Sequence, residues 1–123
     1  LGAYAWQKLA KAKAIIAGGS DFPIEAANPF FGLHASVTRQ DQDNQPKSGW
    51  FPEESLSIKE AFKTFTLNAA YAAHQENIIG SLSRNKKADF ILIDQDIFKI
   101  EPTEIWKTKV LETWVDGKQV SYE

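Results

Sequence analysis

Apolar and polar residues are spaced with two different periods along this chain, and the change falls near Ile78. In the first part the spacing is helical. In "GAYAWQKLAKAKA", Ala3, Trp6, Leu9, Ala10 and Ala14 recur along one face with lysines opposite, which predicts an amphipathic helix. The run "IIAG", Ile15–Gly18, predicts a short buried strand directly after it, the αβ step of an α/β fold. "NPFFGLHASVTR" predicts a second helix, with Asn28 as its cap and Pro29 in its first turn. "SIKEAFKTFTLNAAYAAH" predicts one long, largely buried helix. Ser57 and Glu60 form its capping box, and Ala61, Phe65, Ala69 and Ala72 share a face. Between these two helices, Gln40–Glu54 is polar, with Pro46, Gly49 and Pro52, and predicts a long loop.

Beyond Ile78 the period becomes that of strands. "ADFILID" predicts one strand, and "VLETWVDGKQVSY" predicts two more around the turn Asp116-Gly117. "QDIFKIEPTEIWKTK" between them predicts a loop with room for one helical turn. The expected division is therefore residues 1–77, α/β, and residues 78–123, β.

Composition narrows the function classes. The 123 residues are 43% hydrophobic and 24% charged, the balance of a folded soluble domain. A formal net charge of −2 gives no drive toward nucleic acid or an anionic membrane. No run approaches the length of a membrane span. The absence of cysteine removes disulfides, thiolate metal sites and a cysteine nucleophile. No phosphate-binding glycine loop or serine elbow is present. "SRNKKADF" is a basic cluster that reads as a solvated turn. The four tryptophans are scattered and read as core and interface residues. The compartment stays open.

The chemistry concentrates at "GGSDFP". Asp21 is an acid at the end of an apolar run, with Gly18 and Gly19 freeing the backbone before it and Pro23 stiffening the exit. It reads in two ways: as turn or cap chemistry, or as a reactive group held at the carboxyl end of a strand, where α/β folds place their sites. The two histidines read as structural, His34 on a helix surface and His74 near a helix C-terminus. One well-placed acid does not make a metal site, which needs three or four protein ligands.

The stretches "GGSDFP", "VTRQD", "TLNAAYAA" and "GSLSRNKKADF", in this order and spacing, closely resemble the C-terminal region of the metal-dependent amidohydrolase superfamily, nearest its amidohydrolase 3 group. The resemblance covers essentially the whole chain. It implies the C-terminal part of a (β/α)8 TIM barrel, with Ile15–Gly18 as its eighth strand, plus strands of the attached small β-sandwich. It implies that Asp21 is both a metal ligand and the catalytic proton acceptor. It implies a hydrolase acting on amide, cyclic amide or ester bonds through water activated by a divalent metal, zinc by expectation.

The family's His-x-His pair and later histidines have no counterpart in these residues. The chain therefore reads as a C-terminal fragment that is inactive alone and binds no metal tightly. The resemblance places His34 and Arg39 after strand eight, where they could face substrate, and makes Gln40–Glu54 a wall or lid of the barrel mouth. The other reading is a non-catalytic structural or interaction module. The expected partners are a small-molecule substrate and further copies of the chain, with no nucleic acid and no membrane.

Overall fold

The computed structural model describes residues 2–120. Four short helices come first: α1 (Trp6–Lys11), α2 (Pro29–Thr38), α3 (Ile58–Thr64) and α4 (Leu67–Ala72). Three strands follow, β1 (Phe90–Ile93), β2 (Val110–Val115) and β3 (Lys118–Gln119), with 3₁₀ turns at Pro52–Glu54 and Pro102–Lys107. The strands form one antiparallel sheet in the order β1-β2-β3. Ser121 and Tyr122, expected to extend the last strand, lie outside the described residues. Among the described residues, no helix is long and apolar enough to cross a membrane.

Local chemistry accounts for the element starts. The Asn28 side chain accepts the Phe30 N–H at 3.0 Å, and Pro29 opens α2. In the α3 capping box, Glu60 Oε2 accepts the Ser57 N–H at 2.8 Å while Ser57 Oγ accepts the Glu60 N–H at 3.3 Å. The Asp116-Gly117 turn joins β2 to β3. It is tied back to the start of β1 by Asp116 N–H donating to Asp89 Oδ1 (2.7 Å) and Gly117 N–H to Ala88 O (3.0 Å).

The core is built around α2. Phe30 and Leu33 pack with Leu56, Ala61, Ile97 and Ile105, so it draws on both parts of the chain. The 3₁₀ turn carrying Ile105 lies against α2 more extensively than any other element does.

Two expected elements differ. Residues 58–72 form two helices, broken at Phe65–Thr66, where Thr66 leaves helical geometry (φ −126°, ψ −99°). Phe62, Leu67 and Tyr71 are exposed, so this region is less buried than its apolar pattern predicts. Ile15–Gly18 carries no strand ladder, and Ile15 is exposed. A strand needs a neighbour for its backbone groups, and no described strand lies beside this segment. Its polar groups go elsewhere: Gly18 N–H donates to Thr64 O (2.8 Å), and Asn68 Nδ2 donates to Ile16 O (3.0 Å).

Candidate functional site

Asp21 stands on a turn that the helices hold from behind. Gly18 meets the end of α3 at close range: a Cβ there would lie 2.7 Å from Thr64 Oγ1 and 2.9 Å from the Phe65 ring. Only glycine permits this approach, which brings Gly18 N–H to the Thr64 carbonyl. Three residues on, Asp21 takes a left-handed backbone (φ 51°), a conformation asparagine and aspartate tolerate better than most residues. Its carbonyl closes a turn by accepting the Ile24 N–H at 2.9 Å. The side chain is exposed, and its carboxylate has no hydrogen-bond or ion-pair partner among the described residues. Among the described residues, no group of three or more histidines, cysteines and acids converges on a common point.

His34 is not on the helix surface, as the sequence led us to expect, but buried at 1% exposure. It follows Phe30 by four residues and Leu33 by one, so it shares their inward stripe, a signal present in the spacing. Its Nε2 lies 3.0 Å from Asn44 Oδ1, joining α2 to the following loop. Burial pushes the imidazole below its usual pKa, against the opposing pulls of the Asn44 hydrogen bond and the Asp41 charge. His74 is exposed, two residues past α4, with φ 57°.

Arg39 ends α2 in left-handed geometry and is also buried. Its guanidinium carbon lies 4.3 Å from the centroid of Trp6 and 5.0 Å from that of Trp50. Nε donates to Trp50 O (3.0 Å), and the Trp50 N–H donates to Arg39 O (2.8 Å). Two aromatic faces thus offset part of the cost of burying the charge. Burial lowers its pKa, against the attraction of Glu54 and Glu53. Glu54 is buried too. Lys8 Nζ stands 2.8 Å from Glu54 Oε1, and the Lys8 N–H donates to Glu54 Oε2 at 3.1 Å. The hydrogen bond from the Lys8 side chain is the main reason the Glu54 carboxyl is held below its usual pKa, with a smaller part from the Lys8 N–H and against the effect of burial.

Gln40–Glu54 is therefore a folded loop, fastened at Asn44, Trp50 and Glu54. The sequence contained no signal for the Arg39–tryptophan stack, because Trp6, Arg39 and Trp50 meet only through the fold.

The family model described as "Amidohydrolase family" matches residues 1–121. YtcJ of Bacillus subtilis, which carries an amidohydrolase name, is 31% identical over 98% of this chain and 23% of its own length. The N-substituted formamide deformylase of Arthrobacter pascens is 29% identical over 80% of this chain and 18% of its own length. An amidohydrolase structure from Thermotoga maritima superimposes with a TM-score of 0.68 at 21% identity, covering 98% of this chain and 26% of that one. The chain thus spans about a quarter or less of the proteins it matches.

Proposed function

Because this chain belongs to the amidohydrolase family, we propose that it forms the C-terminal portion of a hydrolase of C–N bonds, in amides or cyclic amides, or of esters. In this reading residues 1–77 close a (β/α)8 barrel and residues 78–123 join a small β-sandwich. Asp21 stands at the barrel mouth, beside the wall made by Gln40–Glu54. The observation that carries the proposal is the exposed, unpaired Asp21 carboxylate, presented at positive φ by a turn anchored through Gly18.

A divalent metal, zinc in this reading, fits Asp21 as one ligand. The carboxylate is a free oxygen donor, and the described residues hold no group of three or more ligand side chains that would complete a site by themselves. When bound, such a metal activates water at neutral pH. Asp21 then has two tasks. Its carboxylate would hold one coordination position, and it would take the proton of the attacking water and deliver it to the leaving nitrogen or oxygen. The bond from Gly18 N–H to the Thr64 carbonyl anchors the backbone three residues before that carboxylate. Arg39 and His34 act on the scaffold: both are buried and pinned, and they hold the loop.

The test is Asp21→Asn in the full-length protein, with metal content and turnover measured together. Turnover on an amide and ester panel should fall by about 10²–10⁴-fold, and bound zinc should drop on elemental analysis. Stability should change by no more than about 0.5 kcal/mol, as for other exposed positions. Wild-type turnover and wild-type zinc in the variant would remove Asp21 from the site.

A further inference from the structure

Ile15–Gly18 has a strand's composition without a strand beside it, and two helices hold its backbone instead. Gly18 N–H donates to Thr64 O at 2.8 Å, and Asn68 Nδ2 donates to Ile16 O at 3.0 Å. Thr64 ends α3 and Asn68 is the second residue of α4, so the two are one helical turn apart. In an unbroken helix the Thr64 carbonyl would accept the Asn68 N–H. Across the break at Phe65–Thr66 that carbonyl serves Gly18, and the Asn68 carboxamide serves the same segment two residues earlier. Asparagine is a weaker helix former than the alanines that follow it, and this one is half-buried. What it supplies is a short arm ending in an N–H donor. Among the described residues, the Ile16 carbonyl accepts no other hydrogen bond.

The two bonds do different things. A single bond fixes a point and leaves the segment free to pivot about it. A second bond two residues away fixes the segment's direction. Among the described residues Gly19 and Ser20 make no hydrogen bond, so the course of the chain from Gly18 toward Asp21 rests on these two. Asp21 lies three residues beyond Gly18, at most about 10 Å along the chain. A swing of about 10° at Gly18 would carry it through as much as about 2 Å. A misplacement of about 1 Å in a catalytic group can cost about 10²-fold in rate.

On the proposed reading of Asp21, we infer that Asn68 is a positioning residue for the hydrolysis: by holding the Ile16 carbonyl, its carboxamide sets the direction in which the backbone leaves the α3–α4 junction, and with it the place of the Asp21 carboxylate. A merely structural Asn68 would cost stability when removed and leave turnover of the folded protein unchanged. A positioning Asn68 lowers kcat and spares KM, because the acid acts on the reacting atoms and not on substrate capture.

The experiment uses the full-length protein, with 4-nitrophenyl acetate, 4-nitroacetanilide and hydantoin as ester, amide and cyclic amide. Asn68→Ala should lower kcat by about 10–10²-fold with KM within about 2-fold, and should speed hydrogen exchange of the amides of residues 15–21. Asn68→Asp keeps the shape, loses the donor and should match the alanine variant. Asn68→Gln keeps the donor on a longer arm and should recover part of kcat. Ile105→Val, which loosens the core elsewhere, should leave kcat unchanged. In an Asp21→Asn background, Asn68→Ala should add less than about 2-fold, because it acts through that acid. Wild-type kcat in the alanine variant despite faster exchange, or a full further loss on top of Asp21→Asn, overturns the positioning role alone. Wild-type turnover in Asp21→Asn, or turnover of none of the three substrates by wild type, removes the reading of Asp21, and the inference falls with it.

Discussion

Gly32 offers a quantitative test of how α2 and the α3–α4 junction fit together. It lies inside α2, where glycine costs about 1 kcal/mol relative to alanine. On helix propensity alone, Gly32→Ala should stabilise the protein by that amount. The structure reverses the sign. A Cβ at Gly32 would stand 2.6 Å from Phe65 Cζ and 3.3 Å from Cε2. The ring cannot simply swing aside, because its Cε2–Cδ2 edge faces Gly18, where a Cβ would stand 2.9 Å from Cε2 and 3.1 Å from Cδ2. Overpacking of this kind costs about 1–3 kcal/mol, and a ring confined on two sides belongs in the upper half of that range. The net expectation is a loss of about 1–2 kcal/mol. Replacing Phe65 by alanine removes the obstacle. In that background Gly32→Ala should stabilise by about 1 kcal/mol, a coupling of about 2–3 kcal/mol between the two sites. Urea unfolding of the four proteins in the cycle, followed by fluorescence of the four tryptophans, measures both effects as midpoint shifts at constant slope. A stabilising Gly32→Ala in the Phe65 background, or an equal effect in both, would refute the reasoning.

Two further expectations concern pH and association. His34 is held below its ordinary pKa of 6.5 by burial, so on acidification the unfolded chain takes up a proton that the folded chain resists. Stability should therefore fall as pH drops below about 6.5, until the lowered folded pKa is passed. His34→Gln should flatten that slope, and an unaltered slope in the variant would point to another group. The second expectation is that the 123-residue chain on its own self-associates. Phe22, Ile24, Leu82 and Leu111 are each more than 60% exposed, and among the described residues the outer edge of β1 has no partner strand. Light scattering across a concentration series checks this, and a monomer with one cooperative melt would count against it.

What could be read in the sequence was chemistry that acts over three or four residues. The Asn28–Pro29 start, the Ser57–Glu60 box and the Asp116-Gly117 turn are local devices, and each sits where its residues predicted. The turn at Asp21 was legible for the same reason, since two glycines, a serine and a proline surround the acid. What was hidden depends on distant segments. The apolar face of residues 57–74 continues unbroken through Phe65–Thr66, so the helix break has no sequence signature. It coincides with Gly18 N–H donating to Thr64 O, and with Thr66 Oγ1 bonding back to Phe62 O. Ile15–Gly18 has a strand's composition, but a strand is defined by a neighbour, and composition does not supply one. His34 was misread because a polar residue on an inward stripe was weighed by type rather than by position. For the site, the sequence pointed to a single carboxylate, because a ligand set is assembled from segments far apart in a chain and leaves no local pattern.

The break between α3 and α4 also bears on how this region can drift in sequence. A continuous helix would use the Thr64 carbonyl internally, whereas here it accepts a bond from the segment leading to Asp21. The bond runs from main chain to main chain, so no side-chain identity is needed to preserve it. Apart from Asn68, residues on either segment can be exchanged without moving the acid, provided the backbone at Gly18 stays bare enough to approach. Mutational tolerance around Asp21 should therefore be uneven: broad at Ile15, Ala17 and Ser20, and narrow at one residue whose only contribution is the atom it lacks.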